Sequence, residues 1–185
     1  PILENPWLST SLIFDSDLAF EGVALGLKSD TDTANNWNTF LTLGYFPLEG
    51  SEWTQRDKYM LGSQVGFTGR PAFGFDITLA AAYYDYQDVS GSPVEGLSTP
   101  ETSRELARMA PKFLQKGNST FDMDDTYDPG GTTLGLLSDF RLLNLSARID
   151  NSLFFPVQVR LYGDWVKNLG YDPEEMAMKQ NPTNP

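Results

Sequence analysis

The chain has 185 residues, 13 Lys plus Arg against 25 Asp plus Glu, a formal charge of −12, and neither His nor Cys. So acidic a chain lacks the basic face that phosphate backbones need, which argues against nucleic acid as a partner. The absence of His and Cys removes Ser-His-Asp and Cys-His catalysis, the commonest zinc ligands and any disulfide framework. There is also no GxSxG or P-loop motif, so we expect no enzyme, no resident metal and no cofactor. Mean hydropathy is −0.34 and no run of 18 apolar residues exists, which leaves no transmembrane helix. The aromatic content of 13% points to a folded, β-rich chain. Residue 1 is Pro, so we expect a mature or trimmed product.

In chain order, residues 8–14 are a weak strand candidate. Residues 21–28 follow, with Val23, Leu25 and Leu27 on one face, and then 39–45, with Leu41, Leu43 and Tyr45. The clearest alternation is in 58–68: Tyr59, Leu61, Val65 and Phe67 oppose Met60, Gly62, Gln64 and Thr68. After GRPA, read as a turn, 73–84 sets Phe73, Phe75, Ile77, Leu79 and Tyr83 against Gly74, Asp76, Thr78 and Tyr84. Residues 143–150 and 157–166 form a second hairpin across NSLFFP. Links alternate between short and long, as in an up-and-down sheet with tight turns at one end.

The longest link, 88–133, exceeds the length of an idle connection. Within it TPETSRELARMAP predicts a short helix: Thr99 caps, Pro100 and Glu101 suit the first turn, and Pro111 stops it. Arg104 and Arg108 lie on one helix face. They form either a solvated face, with Glu101 and Glu105 as partners, or a constriction folded into a barrel mouth. FDMDDTYDPGG holds Asp122, Asp124, Asp125 and Asp128, but Tyr127 and Thr133 occupy the EF-hand Gly and Glu positions, so a solvated acidic loop is favoured over a cation site.

The apolar faces carry no charge, and in the best hairpin they begin and end with aromatics. Tyr59 to Phe67 spans nine residues and Phe73 to Tyr83 eleven, against the ~9–11 that cross a bilayer between aromatic girdles. The opposite faces are small or polar, as in a crowded wet lumen. Gln64, Asp76, Thr78, Arg148, Asp150, Arg160 and Asp164 share that face and are candidate pore-lining residues. The charged ones are equally readable as structural cross-strand pairs. A soluble β-sandwich would use the same alternation with its apolar face as core. Six or seven strands are too few to close a transmembrane barrel, which needs ~8. We therefore expect a fragment of a larger barrel, or further strands hidden in 88–133.

NTFLTLGYFPLE, RDKYMLGSQVGF, AAAYYDYQDV, PKFLQKGNSTFD, LGLLSDFRLLNLSARID and VQVRLYGDWVKNLGYD, in this order and spacing, resemble the putative porin family of proteobacterial outer membranes. The resemblance covers roughly residues 8 to 172. It implies an all-β, antiparallel, up-and-down transmembrane β-barrel in the bacterial outer membrane, here as a partial chain over 1–185. It also implies passive diffusion of small solutes or ions and no catalytic residues. Membrane lipids and lipopolysaccharide are then the expected partners, with a homo-oligomer as a further possibility. The rival functions are a soluble β-sandwich binding module and a structural or adhesive barrel without an open pore.

Overall fold

The computed structural model describes residues 5–14, 18, 20–29, 37–48, 57–94, 99–112, 118–124, 132–154 and 156–180. Six antiparallel strands form one open sheet: β1 (Val23–Lys28), β2 (Trp37–Pro47), β3 (Tyr59–Ala72), β4 (Phe75–Gln87), β7 (Phe140–Asn151) and β8 (Val159–Asn168), in that spatial order. Each strand pairs with the next of the six along the chain, so the sheet is a meander. β1 and β8 are its free edges, and the sheet does not close on itself among the described residues.

The register makes each face continuous. Leu27, Leu41, Val65, Ala81, Leu145 and Trp165 lie side by side across all six strands. One residue along each strand, Gly26, Thr42, Gln64, Ala82, Asn144 and Val166 do the same on the other face. Burial is inverted relative to a soluble domain. Leu79 and Leu145 are 48% exposed, whereas Gln64 and Asn144 are 1% exposed. We call the apolar, uncovered face the outer face and the other the inner face. Tyr45 and Tyr59 stack near one end of the outer face with ring centroids 5.4 Å apart, and Trp37 lies near the other end.

Three expectations are corrected. First, the turn of the central hairpin is Phe73–Gly74 and not GRPA: β3 continues to Ala72, with a register shift between Gly69 and Ala72. Pro71 falls within that irregular stretch, where its missing N–H is tolerated, and Gly74 supplies the positive φ of 79° the turn needs. Phe73 is thus a turn tip, 91% exposed, and no part of a strand face. A Cβ at Gly74 would lie 2.5 Å from the Leu153 side chain. Gly74→Ala should therefore destabilise the hairpin by about 1–2 kcal/mol from backbone strain alone, read as a lower denaturant midpoint.

Second, residues 8–14 are not a strand of the sheet; they cross its inner face. Third, the long excursion runs from Asp88 to Asp139. Its two strands, β5 (Thr120–Asp122) and β6 (Leu134–Leu136), pair with each other and add nothing to the main sheet.

The helix α1 (Pro100–Met109) forms as its caps predict. Thr102 N donates to Thr99 Oγ1 at 3.2 Å, and Thr99 N donates to Thr102 Oγ1 at 2.8 Å. Leu106 of α1, Phe121, Met123 and Leu137 build a satellite core beside the sheet. A second helix, α2 (Pro173–Gln180), closes over it through Met176. Asp172 Oδ1 accepts from Glu174 N at 2.9 Å at the start of α2. No helix among the described residues is long and apolar enough to cross a membrane, which says nothing of strands.

Candidate functional site: the inner face of the sheet

The inner face is occupied by an N-terminal strap, residues 5–14. Leu8 N donates to Gln64 Oε1 at 2.8 Å, and Gln64 Nε2 donates to Leu8 O at 2.8 Å. One side-chain amide thus satisfies both backbone groups of Leu8, as a neighbouring strand would. Ser146 Oγ donates to the same carbonyl at 3.2 Å, and Thr10 N donates to Asp164 Oδ2 at 2.6 Å. Asn144 Nδ2 holds the other oxygen of Asp164 at 3.3 Å.

Trp7 fixes the strap sideways. Its ring lies over Gly44 and Gly62, where a Cβ would approach the indole to 3.0 and 2.6 Å. It meets Tyr84 edge-to-face at 5.2 Å. Phe14, Phe20, Phe46, Met60, Ala82 and Tyr84 complete this inner core.

Near the tight turns the inner face is charged. Arg70 makes a two-bond pair with Asp76, at 2.8 and 3.1 Å. Arg148 Nε lies 3.0 Å from Asp150 Oδ2, and Arg160 pairs with the other oxygen of Asp150. One carboxylate therefore sits between two guanidinium groups, leaving one positive charge in excess. Thr78 Oγ1 lies 3.3 Å from Thr68 Oγ1 and accepts from Arg148 at 3.5 Å. Thr68, Asp76, Arg148, Asp150 and Arg160 border a cleft of about 470 Å³ that opens at the turn end.

All seven inner-face candidates thus share one face, but in two groups. Gln64 and Asp164 hold the strap. Asp76, Thr78, Arg148, Asp150 and Arg160 form the charged end. Sequence reasoning missed Trp7, Leu8, Thr10, Asn144 and Ser146. The signal for Trp7 was present in Gly44 and Gly62, register neighbours that leave a groove one ring wide.

The structure separates the two helix arginines. Arg104 is exposed to solvent. Arg108 lies 3.4 Å from Glu105 and borders a cleft of about 790 Å³ at the loop end of β4 and β7, together with Asp85, Asp139 and Arg141. Lys58 Nζ donates to Ala110 O at 3.0 Å, which ties the end of α1 to the start of β3. Among the described residues no group of three or more acidic side chains is placed to hold a metal ion; Asp125 and Asp128 lie outside them.

A family model described as "Putative porin" matches residues 2–184 of the chain. No curated protein and no solved structure matches it. The match takes in the inverted sheet, the strap and the excursion alike, and the chain belongs to the putative porin family.

Proposed function

We propose that this chain forms part of the wall of an outer-membrane β-barrel channel through which small solutes or ions diffuse passively. The observation that carries this reading is the inverted sheet, with leucines uncovered on one face and amides and hydroxyls buried on the other. Lipid acyl chains cover such an outer face without hydrogen bonds, while the inner face borders the aqueous path. The face a sandwich would bury is the one left uncovered here. The free edges of β1 and β8 are where the wall continues, through further strands or another copy of the chain. Lipopolysaccharide contacts the loop end, where the 88–139 excursion lies.

The strap favours a second reading, a barrel without an open pore, because it occupies the middle of the inner face. Conductance separates the two: the channel reading requires stepwise currents from purified protein in planar bilayers, and their absence assigns a structural role.

Selectivity is tested at the charged end. Replacing both Arg148 and Arg160 with Glu turns an excess positive charge beside Asp150 into three neighbouring carboxylates. The reversal potential in a salt gradient should shift towards cations. An unchanged reversal potential would mean that ions do not pass this cluster. Arg108→Ala at the loop-end cleft should shift it in the same direction and by less, because Glu105 already offsets that charge.

A further inference from the structure

The inner face changes character along the strands. At the loop end Phe46, Met60, Tyr86 and Phe140 are register neighbours on four adjacent strands. Four large side chains in one row contrast with the mid-sheet row of the same face, where Gly26, Thr42, Gln64, Ala82 and Asn144 are neighbours. The strap and the residues after it face this row with Phe14 and Phe20. The rings of Phe14 and Phe20 meet at 5.0 Å and 82°, and Phe20 meets Phe46 at 5.0 Å.

Between them lies a cavity of about 650 Å³, within the roughly 300–1,000 Å³ of small-molecule sites. Among the described residues that border it, Glu21 carries the one formal charge and Asn118 the one side-chain amide. No basic group is among them.

We propose that this cavity is a binding site for a small aromatic solute that is neutral or carries one positive charge. The walls take an aromatic ring out of water and offer it the edges and faces of rings, of which Phe14 and Phe20 already meet near a right angle, an arrangement aromatic pairs prefer. Sugars would lose water from many hydroxyls and find, among the described residues, only Glu21, Asn118 and the Tyr86 hydroxyl in return. Among the described residues that border the cavity, anions would meet Glu21 and no cation. A lipid chain is served by the outer face, on the other side of the sheet.

The site rests on the channel reading only for its access to solutes; binding itself requires no conduction. The whole chain, folded in detergent, is titrated by calorimetry against micelle blanks with 2-phenylethylammonium, 2-phenylethanol, phenylacetate and butylammonium. Saturable binding of the first two, and none of the last two, is expected. Phe140→Ser should abolish binding, while Leu145→Ser on the outer face should leave it unchanged. Glu21→Gln, at an exposed position, should keep the alcohol bound and remove any advantage of the ammonium compound. The inference is overturned if neither aromatic binds above the micelle blank, if phenylacetate binds as well as they do, or if Glu21→Gln leaves an ammonium preference intact. Bilayer currents recorded on the same preparation keep the two readings apart: binding without conductance supports the site and removes the channel, and conductance without binding does the reverse.

Discussion

Leu79→Arg should lower the stability of the membrane-inserted protein by about 2–4 kcal/mol, the cost of a guanidinium near the midplane on the lipid side of a barrel. Leu79 sits between Phe67 and Ala147 in the middle of the outer face, with its side chain uncovered. In an aqueous domain a position 48% exposed would accept Arg almost without penalty, so the two environments predict opposite results from one substitution. Urea unfolding from lipid vesicles, with Leu79→Phe as the apolar control, measures the difference. A neutral Leu79→Arg in folded, inserted protein would show that this face does not meet lipid.

The second large effect concerns the strap. Gln64→Ala removes two hydrogen bonds to Leu8, each worth about 0.5–1.5 kcal/mol. Gly62→Leu would place side-chain atoms where the Trp7 indole now lies. Together they should free residues 5–14 from the inner face while leaving the strand ladder intact. In bilayers the expected result is larger unitary steps than wild type, or the appearance of steps where wild type shows none. Trp7 fluorescence, quenched by aqueous acrylamide more strongly in the variant, would confirm release; the other tryptophans make a Trp7→Phe reference necessary. Release without a change in current would place the solute path away from the strap.

Much of the sheet was legible because its two faces differ. In 58–68 the strict alternation of large and small residues gave strand, face and partner at once. The strands were read too short where that contrast fails. Phe46, Tyr86, Phe140 and Leu142 put apolar residues on the inner face too, so period 2 fades over the last residues of β2 and β4 and the first of β7. The same row that hid the strand ends forms the aromatic cavity. The central turn was misplaced because GRPA holds two turn-formers, while the backbone demand for a positive φ falls on Gly74 alone.

The inner face was legible as a set but not in its division of labour. Arg148, Asp150 and Arg160 could be placed together from parity. That Gln64 and Asp164 serve the strap could not, because their partners lie far off in sequence and are backbone groups, which every residue carries. The helix, in contrast, was readable to its capping residue, since Thr99, Pro100, Glu101 and Pro111 act within one or two turns. Local chemistry shows in a sequence; chain-crossing contacts do not.

The contact between Thr10 and Asp164 joins positions 154 residues apart, and that between Leu8 and Ser146 spans 138. Neither can form until the last two strands of the sheet are in register, and closing loops of that size is slow compared with zipping neighbouring strands. The strap, residues 5–14, is therefore among the last segments to reach its place. Until it does, the amides and hydroxyls awaiting it stay hydrated, so the half-built sheet carries water on one side and apolar residues on the other throughout assembly. Seating the strap expels that water and welds it to β7 and β8, a late step that would appear in refolding as a Trp7 signal trailing the gain of β structure.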